Sequence, residues 1–249
     1  MTNFKIDTHM HTLISGHAYN TIDEMILEAT NKGMEAICIT DHGPAMQGSA
    51  HPFYFSNMHI LENKHTSIPV FFGCEVNILD ENGEIDLDEF CLQRQQVVIA
   101  SLHGCCFKEN TPKTKENCTN AILKLMENPY ITIIGHPDDE VFPLDYEVMV
   151  KKAKETNTII ELNNSSNNPK GFRKGARKRD LEYLKYCKEY GVYISLGSDA
   201  HVKEEIGEFP YILPILEEID FPEKLIINSN KELFLEKITE KRKKKSLWN

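Results

Sequence analysis

The chain has 249 residues, 41% of them hydrophobic, which suits one large domain over residues 1–249 with a sizeable core, α/β barrels included. A formal net charge of −10 argues against a broad nucleic-acid-binding surface, and no apolar run approaches the ~20 residues that cross a bilayer. No signal-peptide pattern opens the chain, and its seven scattered cysteines, an odd number, are not a disulfide framework, so a cytoplasmic protein with reduced thiols and no membrane partner is expected.

Apolar strand-like runs alternate with helical patterns from one end to the other. Phe4–Ile6 is the first short strand, and it leads into Asp7-Thr8-His9-Met10-His11-Thr12. In extended chain residues i and i+2 share a face, so His9 and His11 present two imidazoles side by side. Thr21 and Glu24 form a capping box that opens a helix closed by Gly33. The second strand, Ala36–Ile39, runs into Thr40-Asp41-His42-Gly43, and the third, Val70–Phe72, is followed by Gly73-Cys74-Glu75-Val76-Asn77. Leu79–Ile85, centred on Asn82-Gly83, reads as a hairpin turn. The fourth strand, Val97–Leu102, ends at His103-Gly104, and an amphipathic helix follows over Lys115–Glu127. The fifth, Ile131–Ile134, meets Gly135-His136-Pro137 and precedes a helix over Tyr146–Thr156. The sixth, Thr158–Leu162, runs through Glu161 into Asn163-Asn164-Ser165-Ser166. A helix over Lys178–Tyr190 ends at Gly191, and the seventh strand, Val192–Leu196, leads to Gly197-Ser198-Asp199-Ala200-His201. Strand and helix in alternation predict parallel strands joined by crossover helices.

A closed α/β barrel gathers the C-terminal ends of its strands on one face, where such enzymes carry their sites. Of the ten histidines, His9, His11, His17, His42, His103, His136 and His201 fall at or just past strand ends; His51, His59 and His65 do not and read as bystanders, His51 being the one nearest that face. Seven imidazoles in the same relative position, with Glu75 and Asp199, form a metal-ligating pattern.

These motifs, from Asp7-Thr8-His9-Met10-His11-Thr12 through Thr40-Asp41-His42-Gly43, Glu75, His103 and His136-Pro137 to Gly197-Ser198-Asp199-Ala200-His201, resemble the PHP (polymerase and histidinol phosphatase) family. Glu161-Leu162-Asn163-Asn164-Ser165-Ser166 with Arg173-Lys174-Gly175 resembles its YcdX-type stand-alone phosphatases in particular. The resemblance implies a distorted seven-stranded (β/α)7 barrel with three divalent metal ions at the C-terminal ends of the strands, zinc foremost, manganese and iron being alternatives. Carried over by position, it gives the first metal His9, His11, Asp199 and a bridging Glu75. The second takes Glu75, His103 and His136, and the third His17, His42 and His201. Glu75, Asp199 and His201 are then the catalytic residues. A trimer is one assembly that relatives adopt.

Such a centre suits phosphate monoesters, whose near-double negative charge repels an attacking hydroxide. Neighbouring cations neutralise the phosphoryl oxygens, lower the pKa of a bound water toward ~7 and stabilise the leaving oxygen. Arg173 and Arg177, with Lys174, follow the sixth strand and offer forks for phosphate oxygens; Asn163 and Asn164 are further substrate-binding candidates. Asp7 and Asp41 are candidates to fix the tautomers of neighbouring histidines. Ser101, Ser165 and Ser198 lack the partners of a nucleophile and read as hydrogen-bonding residues, and Arg94 lies at the far end of the barrel. Cys74 should face away from Glu75, and Cys105 and Cys106 should be packed or solvated in a loop. Loops 43–56 and 164–177 should set specificity. The basic run Lys241–Lys245 reads as a solvated end.

The expected activity is therefore metal-dependent hydrolysis of a small phosphorylated substrate. Histidinol-phosphate phosphatase is one alternative, and a PHP-type phosphodiesterase or exonuclease another, disfavoured by the charge and by the lack of an aromatic–basic strand-binding stretch. A non-catalytic metal-binding module would be expected to have lost ligands, and none is missing. An amidohydrolase would share the His9-x-His11 pair but commonly places a bridging lysine at the fourth strand, where this chain has Ser101-Leu102-His103.

Overall fold

The computed structural model describes residues 4–62, 64 and 67–246, with side chains as far as residue 240; His65 lies outside the described residues. Seven parallel strands follow one another in chain order as a nearly closed barrel: β1 (Ile6–Asp7), β2 (Ala36–Ile39), β3 (Val70–Asn77), β4 (Val97–Ser101), β5 (Ile133–Ile134), β6 (Ile159–Asn163) and β7 (Ile194–Gly197). The helices are α1 (Ile22–Asn31), α2 (Pro52–Asn57), α3 (Glu89–Leu92), α4 (Lys115–Leu125), α5 (Tyr146–Thr156), α6 (Ala176–Tyr190), α7 (Leu213–Glu218) and α8 (Lys231–Ser246). Thr21 and Glu24 cap α1 reciprocally, and α5 and α6 stop at the left-handed residues Asn157 and Gly191.

Strand alternation divides the core into two layers. Ile37, Ile39, Val98, Ala100, Ile134, Ile160, Leu162, Ile194 and Leu196 point outward beneath the helices, as does Cys74. Ile6, Ala36, Cys38, Val97, Ile99, Ile133 and Ile159 point inward and fill the lower barrel, where Phe234 and Ile238 of α8 close the end. Burying a side chain of this size contributes roughly 1.5–3 kcal/mol. Above that floor the inward positions turn polar: Glu75, Ser101, Glu161, Asn163 and Ser195 are all buried.

Two expectations about the strands need correction. Glu75 lies inside β3, not in a loop after it. Gly73 reads as a break, yet there it lets two backbones close up, since a Cβ would stand 2.0 Å from the Val97 carbonyl oxygen. Conversely β1 and β5 shrink to two residues each. The segment after Asn77 does turn back, with Leu79 N–H bonding the Glu84 carbonyl at 2.8 Å.

The circle closes between the two ends of the chain. His11 N–H donates to the Ala200 carbonyl at 2.9 Å, and Asp199 N–H to that of His9 at 2.9 Å. Below them Asn228 latches the seam: its amide donates to the carbonyls of Ile6 (2.8 Å) and Leu196 (2.9 Å), and its Oδ1 accepts from Leu196 N–H. Among the described residues no helix is long and apolar enough to cross a membrane.

Candidate metal centre

The polar upper end of the barrel brings together His9, His11, His17, His42, Glu75, His103, His136, Asp199 and His201. The seam pairing between Met10 and Ala200 sends Met10 into the outer core and turns His9 and His11 inward. His42 bridges to the Glu75 backbone, with Gly43 N–H on the Glu75 carbonyl at 2.7 Å. His136 and Asp199 adopt positive φ values of 24° and 57°, a conformation non-glycine residues avoid except where the surroundings impose it.

Glu75 lies at the centre, fully buried. Its Oε2 is 2.6 Å from His42 Nδ1 and 3.4 Å from His9 Nε2; its Oε1 is 2.8 Å from His136 Nε2 and 3.4 Å from His103 Nε2. Asp199 Oδ1 lies 3.2 Å from His11 Nε2. The side chains group as His9–His11–Asp199, His42–Glu75–His103 and His11–His42–His201. His42 thus touches Glu75 as well as the outer histidines, where the family pattern assigned it to the third group alone. His17, at the mouth, stacks on His42 and His201 with ring centroids 4.9 and 4.7 Å away.

The proton positions on these rings follow from their outer partners. His9 Nδ1 faces Glu161 Oε1 at 2.7 Å and must donate to it. Ser15 gives its hydroxyl proton to Asp41 (2.7 Å), so its oxygen accepts from His11 Nδ1 at 3.1 Å. Asn77 donates through its amide to Gly43 and Asp86, leaving Oδ1 to accept from His103 Nδ1 at 2.7 Å. His201 Nδ1 donates to the Asp199 carbonyl at 2.9 Å. Each of these rings therefore offers Nε2 to the interior, an arrangement that outer hydrogen bonds impose on metal-binding histidines. The Nε2 atoms of His9 and His11 stand only 3.0 Å apart, and His42 Nδ1 and Glu75 Oε2, both buried and 2.6 Å apart, are not aligned for a hydrogen bond with each other or with another group. Electron pairs facing one another at such distances require positive charge between them. The donor set fits divalent cations.

Charge follows the same lines. Burial opposes ionisation of Glu75, but His9, His103 and His42 hold its carboxyl well below the usual range, and Asp199 is held down likewise by His9, His11 and His201. Burial and the neighbouring His42 and His201 push His11 well below the ordinary imidazole value; burial pulls His103 down to about 4. Burial also opposes charge on His9, yet Glu161, Glu75 and Asp199 outweigh it and raise its pKa well above normal. That field favours a cation at His9 Nε2, proton or metal.

The sequence reading overlooked Glu161 and Asn77 as positioning residues. Besides His9, Glu161 accepts from His136 N–H at 2.8 Å and Asn163 Nδ2 at 3.2 Å. Gly197 makes room for it, because a Cβ there would meet Glu161 Oε1 at 2.2 Å. Asp41 acts on His11 only through Ser15, and Asp7 holds backbone N–H groups of His9, Ser198 and Gly207, not an imidazole.

A cavity of about 580 Å³ opens over the centre, lined by His17, His42, His103, Asp199 and His201 together with Met46, Cys105, Asp139, Phe172, Arg173 and Glu205. Half-buried Arg173 donates from Nη1 to Ser166 Oγ at 3.0 Å and lies 3.6 Å from Asp199 Oδ2, while its Nε has no partner. Arg177, expected beside the phosphate, turns to the surface and pairs with Glu218 of α7. Lys174 bonds the Gly171 carbonyl. Neither asparagine lines this cavity: Asn163 is buried against Glu161 and Asp199, and Asn164 accepts from Tyr211 N–H at 3.0 Å. Ser165 borders the cavity, Ser101 is buried in the barrel, and Ser198 shapes the β7 turn. His51 caps α2, His59 bonds the Ser56 carbonyl, and Arg94 covers Phe90 on α3.

A sequence profile of the PHP domain matches residues 7–247. A probable phosphatase of Caldicellulosiruptor saccharolyticus is 47% identical over 93% of this chain and 95% of its own length, and one from Clostridium botulinum strain Langeland is 42% identical over 98% of both. In structure, a histidinol phosphate phosphatase from Lactococcus lactis, solved with zinc, L-histidinol and phosphate, superposes with a TM-score of 0.60 at 20% identity over 88% of this chain and 95% of that one.

Proposed function

The chain belongs to the PHP domain family, and from that premise we propose that it is a phosphatase that hydrolyses phosphate monoesters with three divalent cations. His9, His11 and Asp199 would hold one cation, His103 and His136 a second, with Glu75 between them, and His17, His42 and His201 the third. His42, in contact with Glu75, would also border the other two. Bound cations supply Lewis acidity and an ionisable water. The observation that carries this reading is the convergence of fixed Nε2 atoms around a carboxylate kept ionised in a barrel interior.

The chain's own groups accomplish the rest. Arg173 lines the cavity with its Nη1 3.6 Å from Asp199 Oδ2, and its guanidinium would orient a phosphoryl oxygen. Glu161, Asn77 and Ser15 keep imidazoles from rotating away. Among the described residues lining the cavity Arg173 is the single Lys or Arg, and Asp139 and Glu205 are acidic. A polynucleotide backbone needs a cationic track, so a compact monoester fits better than a nucleic-acid diester.

Hydrolysis of p-nitrophenyl phosphate against its bis-ester tests this proposal, with metal content measured alongside and histidinol phosphate, sugar phosphates and nucleotides as a substrate panel. Monoester turnover that chelation abolishes and zinc or manganese restores is expected. Turnover that survives in demonstrably metal-free protein, or exceeds the monoester rate with the bis-ester, refutes it.

A further inference from the structure

Three sulfurs meet at the mouth of the cavity. Cys105 Sγ lies 3.5 Å from Met46 Sδ and 3.7 Å from Cys106 Sγ. They come from two loops, each folded into a turn: Met46 N–H bonds the Gly43 carbonyl at 3.1 Å, and Cys106 and Phe107 N–H bond that of His103 at 3.1 and 3.0 Å. Cys105 is exposed and Cys106 half-buried, whereas Cys38, Cys74, Cys91, Cys118 and Cys187 are buried.

Imidazoles and carboxylates suit borderline and hard divalent ions; thiolates with a thioether select soft ones, Cu(I) above all. At a metal–sulfur length of about 2.3 Å, three sulfurs around a trigonal ion stand about 4 Å apart. The two separations seen here fall within a few tenths of an ångström of that. We infer that Cys105, Cys106 and Met46 form a Cu(I) site, separate from the imidazole–carboxylate centre, whose occupancy blocks the cavity. Met46 and Cys105 line the same cavity as His42 and His103, so an ion held there stands in the path of substrate. The binding claim is independent of the phosphatase reading; only the blocking claim rests on it.

The test is an anaerobic titration of the metal-loaded protein with Cu(I) against bicinchoninate as a coloured competitor. The protein should withdraw a single equivalent, without releasing its resident metals, and p-nitrophenyl phosphate hydrolysis should fall in step and return when excess bathocuproine strips the copper. Cys105→Ser with Cys106→Ser should weaken Cu(I) binding about 100-fold or more, and Met46→Leu, which removes the weaker ligand, about tenfold. Each variant's inhibition is read against its own copper-free rate, and far-ultraviolet circular dichroism confirms the fold. Unchanged copper affinity in both variants, or copper uptake matched by loss of resident metal, overturns the site. Tight binding without inhibition overturns the blocking role.

Discussion

Replacing Glu161 with Gln tests how the centre is held. The carboxylate accepts from His9 Nδ1 at 2.7 Å and from His136 N–H at 2.8 Å. An amide keeps one acceptor and turns an NH2 toward the other donor, so one charge-assisted hydrogen bond is lost and a donor faces a donor. Losing such a bond costs about 1.5–3 kcal/mol, and with 1.4 kcal/mol per tenfold the ion among His9, His11 and Asp199 should bind about 10–100-fold more weakly. Manganese titration by calorimetry, followed by metal content after dialysis against graded chelator, measures the loss, and turnover at saturating manganese should recover in part. The donor-to-donor contact is buried with or without metal, so the metal-free protein should also melt several degrees lower, and affinities are compared at a temperature where both proteins are folded. Wild-type metal affinity in Glu161→Gln would refute the claim that Glu161 fixes His9.

Arg173→Ala should raise KM for phosphomonoesters about tenfold or more, whereas Arg177→Ala, whose side chain pairs with Glu218, should leave steady-state kinetics as they are; equal effects of the two would remove the distinction. Gly197→Ala places a methyl where Glu161 and the His9 Cβ already stand, at 2.2 and 2.7 Å, so it should cost about 1–3 kcal/mol in denaturant unfolding and lower metal occupancy; a neutral result would show that the site relaxes freely. Burial and the facing Asp138 raise the Asp180 carboxyl pKa well above normal. The folded state therefore binds that proton more tightly than the unfolded chain, and the associated stability, full below about pH 4, is lost as pH rises through the folded pKa. Asp180→Asn keeps the acceptor for Asn167 Nδ2, at 2.7 Å from the native carboxylate, and should gain stability over wild type from pH 4 to 7; a melting-temperature difference independent of pH would refute this.

Strand order and the candidate ligands were legible because apolar runs ended, one after another, in His, Asp or Glu, a regularity of position along the chain. Glu161 was not, although its residues were in view. It sits in β6 and reaches His9 across 152 positions, and no spacing encodes a contact made by closing a circle. Asn77 was hidden for a related reason: Gly73 looked like the end of β3, so the inward face of that strand went unread beyond it. Arg177 misled through adjacency, since four residues past Arg173 the chain has entered α6, and α7 supplies a nearer partner. The short helices α2 and α3, one turn or little more, carry too few residues for a periodic signal.

The seam between β1 and β7 orders events during synthesis. Asn228 ties Ile6 to Leu196, and the same closure brings His9 and His11 to Asp199. The first residues of the barrel to leave the ribosome thus wait for almost the last. Until then the nascent chain exposes histidines without their geometry, and Phe234 and Ile238 have not yet stoppered the floor. Long-range closure of this kind is slow to form. If His9, His11 and Asp199 hold a cation as proposed, its capture would be a late step, completed after translation has passed the C-terminal latch.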